Sequence, residues 1–389
     1  MMSGKTEEME YLQQQFSVRF EYTVFFSNRL FDPANPAFRN FLAGNKADTT
    51  KKLFFVIDGG VAKAHPALLD EIRGYLGEIP GFYLVPDILV IPGGEQCKND
   101  NRYLDQIIEA VDIYGIDRHS YIIAIGGGAI LDLAGFGAAV SHRGIRHIRI
   151  PTTVLSQNDS GMGVKNGINY KGKKNFIGSF VPPVAVFNDA AFLETLSVED
   201  YRSGISEAVK VALIKDADFF YWIAAHAASL AERNGKDMHY LIKQCAGLHL
   251  QHIASGDAFE MGSSRPLDFG HWSAHKVEQL SGFSIRHGEA VAMGIALDTA
   301  YSYLSGRLKK EDTLKVTDTL RHIGFAITHP LMEIEDDNSP VLKGLNEFRE
   351  HLGGKLTIML LNDIGTGEEV HELDAELLKK AAAWLKTIA

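Results

Sequence analysis

Apolar residues come in short unbroken runs through the first half of the chain and at helical spacing through the second. Residues 53–57 (LFFVI), 88–91 and 121–125 (YIIAI) are such runs, and each ends in glycines: Asp58-Gly59-Gly60, Pro92-Gly93-Gly94-Glu95 and Gly126-Gly127-Gly128. A run of this length, bounded by turn residues, reads as a strand buried on both faces of a parallel sheet. Residues 18–26 partly alternate and 147–150 are also strand-like. Between them, 36–42, 66–76, 101–114 and 129–140 read as helices, so the expected first domain is α/β with a parallel, Rossmann-like sheet.

The period changes after Thr195. Residues 198–214, 217–232, 238–253, 275–280, 289–304 and 314–323 carry apolar positions at the helical period, and few strands interrupt them. Residues 356–361 read as a late strand or hairpin, and 373–388 as a closing helix. The chain has 389 residues, more than the roughly 250–300 that one hydrophobic core serves. Two domains are therefore expected, an α/β domain over 1–196 and a mainly helical one over 197–389. Ser197 caps the next helix, with Asp200 at its third position. A cleft between the halves is the natural place for a ligand.

Composition narrows the partners. A formal charge of −10 with no basic run argues against nucleic acid. Two cysteines, Cys97 and Cys245, lie far apart and outside any CxxC pattern. That suits a reducing compartment, the cytoplasm, and argues against a thiolate zinc site. No apolar run approaches the ~18 residues of a membrane span. The N-terminal stretch is polar and acidic, without a signal-peptide core.

Two stretches carry candidate chemistry. Gly126-Gly127-Gly128 joins a strand to a helix, where backbone N–H groups and the helix terminus favour a phosphate. It is not GxGxxG, and a tight turn that binds nothing is the alternative. Asp58 and Glu95 also follow strands, where an acid commonly holds ribose hydroxyls. Residues 265–289 hold His271, His275 and His287, with Asp268 and Glu289 close by. His271 and His275, four apart, share one face of a helix. Two imidazoles and a carboxylate make the ligand set of a catalytic zinc, and ordinary helix-end histidines remain the alternative.

The segment 126–180, with Phe192-Leu-Glu-Thr-Leu, Tyr201-Arg-Ser-Gly-Ile-Ser-Glu207-Ala-Val-Lys210, Asp268-Phe-Gly-His271 and His287-Gly-Glu-Ala-Val, closely resembles the 3-dehydroquinate synthases, of the wider sugar-phosphate cyclase superfamily. The likeness spans about residues 58–293, a succession of ordered motifs far more specific than a lone glycine loop. It implies NAD on the first half and a metal and substrate site on the second. Glu207, His271 and His287 match the metal ligands of the family, implying zinc or cobalt. Asp58, Glu95, Lys98, Gly126, Gly127, Gly128, Asp132, Thr152, Thr153, Asp159, Lys174 and Thr195 match positions that contact NAD. Lys165, Asn175, Lys210 and His275 match substrate contacts. Arg143 resembles an arginine that reaches the neighbouring site in a homodimer. The implied reaction is a closed redox cycle. A ring hydroxyl is oxidised by NAD+, phosphate leaves by β-elimination, the ketone is reduced again, and an intramolecular aldol step closes a carbocycle.

The chain also departs from that pattern. Asp268 stands where the dehydroquinate synthases have asparagine. Their substrate-carboxylate lysine has no counterpart in Gly247-Leu-His249-Leu-Gln-His252, and the matching arginine, Arg265, comes one place late. Phe348-Arg349-Glu350-His351 replaces an Asp-Lys-Lys run. Together, losing the lysine and gaining Asp268 remove about two positive charges from the substrate pocket, so Coulomb repulsion disfavours a carboxylate substrate. This favours a neutral-headed ketose phosphate, and the LDFGH and EFREHLGG stretches resemble the sedoheptulose 7-phosphate cyclases of the valiolone-synthase branch. The alternatives are 3-dehydroquinate formation from 3-deoxy-arabino-heptulosonate 7-phosphate, a metal-dependent polyol dehydrogenase, and a degenerate member kept as a scaffold.

Overall fold

The computed structural model describes residues 11–45, 48–77, 79–255, 258–259, 268–336, 338–351 (without the side chain of His351) and 356–389. Its first half is built on β1 (Thr23–Ser27), β2 (Lys51–Asp58), β3 (Phe82–Leu84), β4 (Leu89–Ile91), β5 (Tyr121–Gly126) and β6 (Arg146–Pro151). An antiparallel hairpin, β7 (Lys165–Tyr170) and β8 (Lys173–Phe180), stands apart from the sheet and precedes its last strand, β9 (Ala185–Asp189). The seven sheet strands are all parallel, in the order β1-β9-β6-β5-β2-β3, with β4 also on β2.

Continuous apolar strands explain the two layers of helices. In β2, Leu53, Phe55 and Ile57 enter one core and Phe54 and Val56 the other, because successive side chains point to opposite faces. Helices α1 (Ala37–Gly44) and α3 (Leu68–Leu76) cover the first face, with the short α2 (Gly59–Ala64) leaving the end of β2. Helices α4 (Asn101–Ile113) and α5 (Gly128–Val140) cover the second. Each fully buried Phe, Leu or Ile contributes about 1.5–3 kcal/mol.

From β2 the chain runs outward to β3 and β4, then crosses to β5 on the other side of β2. The strand order reverses there. The carboxyl ends of β2 and β5, Asp58 and Gly126, therefore flank the crevice where open α/β sheets take ligands.

The second half contains α6 (Val198–Lys215), α7 (Ala217–Ala225), α8 (Ala227–Ala231), α9 (Gly235–Ala254), α10 (His271–Leu280), α11 (His287–Leu304), α12 (Lys310–Ile323), α13 (Lys343–His351), the hairpin β10 (Ile358–Asp363)–β11 (Thr366–Val370) and α14 (Ala375–Ile388). They share one core, with Ile205 and Val209 of α6, Val291 and Ile295 of α11 and Leu378 of α14 inside it. Helix α11 is apolar nearly all round because it is buried nearly all round. Ser197 caps α6, accepting from Asp200 N–H at 3.1 Å. Among the described residues no helix is long and apolar enough to cross a membrane.

Several elements differ from the sequence pattern. Residues 217–232 break at His226 into α7 and α8. The helix expected over 275–280 starts at His271, so His271 and His275 do share it. The β7–β8 hairpin was not foreseen: β8 is exposed almost throughout and offers no apolar face to betray a strand.

Candidate active site

Three helices deliver the candidate metal ligands. Glu207 lies midway along α6, and His271 and His287 are the first residues of α10 and α11. Glycine allows these helices to meet. A Cβ on Gly288 would lie 1.9 Å from the carbonyl oxygen of Ser203, so α11 starts directly against α6. Gly288 N–H donates to Ser203 Oγ at 3.0 Å, and Arg202 donates to Glu289 at 3.1 Å. Gly270, at φ +77°, turns the chain into α10 with its carbonyl pressed onto Gly294 of α11. Glu207 Oε1 then lies 3.4 Å from His271 Nε2 and 3.2 Å from His287 Nε2.

The other ring nitrogens have partners. His271 Nδ1 faces the Phe269 carbonyl at 3.1 Å, and His287 Nδ1 faces Glu278 Oε2 at 3.0 Å. Both are acceptors, so each Nδ1 carries the proton and each Nε2 presents a lone pair toward Glu207. Neither oxygen of Glu207 accepts a well-aligned hydrogen bond among the described residues, although the residue is fully buried. Three lone-pair donors meeting in a buried space fit a divalent cation, with outer partners fixing the rings as metal sites require. Burial disfavours charge on His287, but the close Glu207 carboxylate and the hydrogen bond to Glu278 raise it to about 9. Burial likewise opposes ionised Glu278, and its hydrogen bond to His287 prevails, holding it at about 2. His275, Glu278 and His287 form a second grouping of donor atoms, and its His275 is exposed.

Lys210 follows Glu207 by one turn, is buried with it, and pairs with its second oxygen. Burial would lower the Lys210 ammonium, but Glu207 and then Asp159 and Asp268 hold it up. Asp268 Oδ2 is buried without a hydrogen-bond partner among the described residues. Asp159 lies 3.2 Å from His249 of α9, a ring that burial keeps low.

Most of the nucleotide candidates gather near the strand-order reversal, while Asp159 and Lys174 face α9 and α10 of the second half. Asp58 caps α2, accepting Gly60 N–H at 2.7 Å, and burial raises its carboxyl. Gly127 caps α5 beside Thr153, while Thr152 N–H donates to the Gly126 carbonyl at 3.1 Å. Lys98 is buried, donating to Asp132 at 2.8 Å and to Asn175 of the hairpin. Glu95 accepts from Asn169 at 3.0 Å. Thr195 faces His65, at the end of α2, at 2.8 Å.

The hairpin lies beside the second half, where Phe180 of β8 meets Phe259 with ring centroids 5.3 Å apart. The charge of Lys174 acts on His275 and Glu278 of α10, and that of Lys165 on His249. Arg143 is not among this group. It is exposed on a turn at the far end of α5, a helix about 20 Å long. Arg349 is exposed on α13, and Arg265 and the side chain of His351 fall outside the described residues. Sequence reasoning missed Glu278. It lies seven residues after His271, on the same helical face, and that spacing was a usable signal.

The comparisons agree with this layout. Residues 88–203 match the family model of the 3-dehydroquinate synthase N-terminal region, and 204–342 that of the C-terminal region. A 2-epi-5-epi-valiolone synthase from Streptomyces hygroscopicus subsp. jinggangensis 5008, solved with NAD+ and Zn2+ bound, is 26% identical with a TM-score of 0.85, over 97% of this chain and 100% of that one. A 2-deoxy-scyllo-inosose synthase solved with carbaglucose-6-phosphate, NAD+ and Co2+ has a TM-score of 0.76 at 22% identity, covering 92% and 95% of the two chains. An NADH-dependent butanol dehydrogenase from Thermotoga maritima shares the fold alone, at 15% identity and a TM-score of 0.63 over 95% and 98%. With the two family models matching adjoining stretches, 88–203 and 204–342, and the layout shared, the chain belongs to the 3-dehydroquinate synthase family of sugar-phosphate cyclases.

Proposed function

We propose that this cyclase uses NAD and a divalent metal to convert sedoheptulose 7-phosphate to a carbocycle with loss of phosphate, making it a phosphate-eliminating lyase. The observation that carries the metal reading is the meeting of Glu207 Oε1 with the Nε2 atoms of His271 and His287. Zinc or cobalt held there would supply Lewis-acid polarisation of a ring hydroxyl and later of the ketone. Glu207, His271 and His287 hold it, and Glu278 keeps the His287 ring in place.

NAD lies across the ends of β2 and β5. Asp58 takes ribose hydroxyls and the N-terminus of α5 takes the pyrophosphate, with Glu95, Lys98, Asp132, Thr152, Thr153, Asp159, Lys174 and Thr195 lining the crevice. Lys165 and Asn175 of the hairpin donate to the substrate phosphate. Arg143 joins them from a second subunit, since its own site lies a helix length away. Lys210 binds a substrate hydroxyl, His275 moves a proton at its exposed imidazole, and the phosphate serves as the base in elimination. The division into 1–196 and 197–389, and a homodimer in the cytoplasm, belong to this proposal.

Asp268 supports the substrate choice. Its carboxyl acts on Lys210, and a negative charge there penalises a carboxylated substrate. The test supplies NAD+, Zn2+ or Co2+ and either sedoheptulose 7-phosphate or 3-deoxy-arabino-heptulosonate 7-phosphate, and follows phosphate release and product NMR. Faster turnover of the second substrate refutes the choice. NADH made in step with product, without phosphate, refutes the cyclase chemistry.

A further inference from the structure

Asp298 is a buried carboxylate that the proposed chemistry does not use. It lies on α11, about three turns beyond His287. Its Oδ2 accepts the Gly270 N–H at 2.9 Å, and its Oδ1 accepts the indole N–H of Trp272 at 2.9 Å. Those donors stand on either side of His271. Placing an ionisable group in an apolar helix core costs several kcal/mol, and a small apolar residue would pack there without that cost.

We infer that Asp298 is a positioning residue for the metal centre, gripping the residues before and after His271 so that its ring is aimed at Glu207 and His287. One helix thereby presents one ligand and steers another. The local geometry supports this division of labour. Gly270 lies on the backbone of α11 at Gly294 and Ile295, so the turn into α10 has α11 as its floor. Phe269, whose carbonyl accepts the hydrogen bond from His271 Nδ1–H, immediately precedes Gly270. A shift of the Gly270 peptide carries that acceptor with it and frees the ring to rotate. The ring centroids of His271 and His287 lie 5.5 Å apart, and a small rotation separates the two Nε2 atoms.

The inference rests on the reading that Glu207, His271 and His287 hold a divalent metal. The test is Asp298→Asn in the full chain, stripped with chelator and titrated with Co2+. Asparagine keeps one acceptor oxygen and turns an NH2 group toward the other N–H, which breaks the two-point grip with little change of volume. The expected result is a chain with a native circular-dichroism spectrum, Co2+ affinity weaker by about tenfold or more, and visible Co2+ absorption bands shifted from wild type. A folded variant with wild-type affinity and bands overturns the inference while leaving the metal reading intact. Wild-type protein that takes up no Co2+ overturns the metal reading and the inference with it. If Asp298→Asn does not fold, Trp272→Phe decides, since it removes a single donor: weaker Co2+ binding supports the grip, and unchanged binding overturns it.

Discussion

Glu278 lies 3.0 Å from His287, on the ring nitrogen that faces away from Glu207. That carboxylate sets the tautomer of the candidate ligand and makes its Nε2 a stronger donor. Glu278→Gln keeps the acceptor oxygen and removes the charge. Affinity for Zn2+ should fall about 10- to 100-fold, read by metal content after dialysis against graded chelator. Unaltered retention would show that Glu278 has no hold on the centre.

Glu207 and Lys210 are buried together, so removing one partner strands the other. Glu207→Ala should lower the stability of the chelator-treated protein by about 3–5 kcal/mol, and Glu207→Leu with Lys210→Met should recover most of that loss. Urea unfolding of the metal-free variants measures both. Equal destabilisation in the single and double variants would contradict the pairing.

Asp268→Asn removes a carboxylate whose charge acts on Lys210. The ratio of kcat/KM for 3-deoxy-arabino-heptulosonate 7-phosphate over sedoheptulose 7-phosphate should rise by about tenfold, equivalent to ~1.4 kcal/mol. Phosphate-release assays on both substrates give the ratio, and no change would remove Asp268 from the specificity argument.

Burial raises the Asp298 carboxyl to about 7, against the pull of its two N–H donors. In the unfolded chain an aspartate ionises near ~4. Between those values the folded chain binds more protons, so the stability owed to this group is present at low pH and is lost as pH rises through about 7. From pH 5 to pH 8 wild type should therefore lose roughly 2.5 kcal/mol relative to Asp298→Asn, about 1.4 kcal/mol per pH unit until pH 7. Urea unfolding of both proteins across that range checks the slope, and parallel curves would speak against it.

The central strands were legible because they are buried on both faces and so read as unbroken apolar runs, as in Phe54 to Ile57. The short edge strand β3 and the brief run of β9, which ends in Asn188-Asp189, were not. Neither was the β7–β8 hairpin, since its exposed residues carry charge and phenylalanine in no alternating order. The candidate metal centre was half legible. His271 and His287 stand in one conspicuous stretch, but Glu207 is remote in sequence, and only the family motifs joined it to them. Asp298 sits in an apolar helical pattern where nothing local marks it, because its partners, Gly270 and Trp272, belong to a different helix entry.

The contact between Gly288 and Ser203 has a consequence for relatives that have lost their chemistry. Depth of insertion between α6 and α11 is governed there by the lack of a single carbon. A lineage would forfeit its reaction by gaining a methyl group at a position with no functional group of its own, while every coordinating side chain stayed in place. An intact ligand signature is thus insufficient grounds for assigning activity to a distant homologue, and this inert spacer should be inspected alongside it.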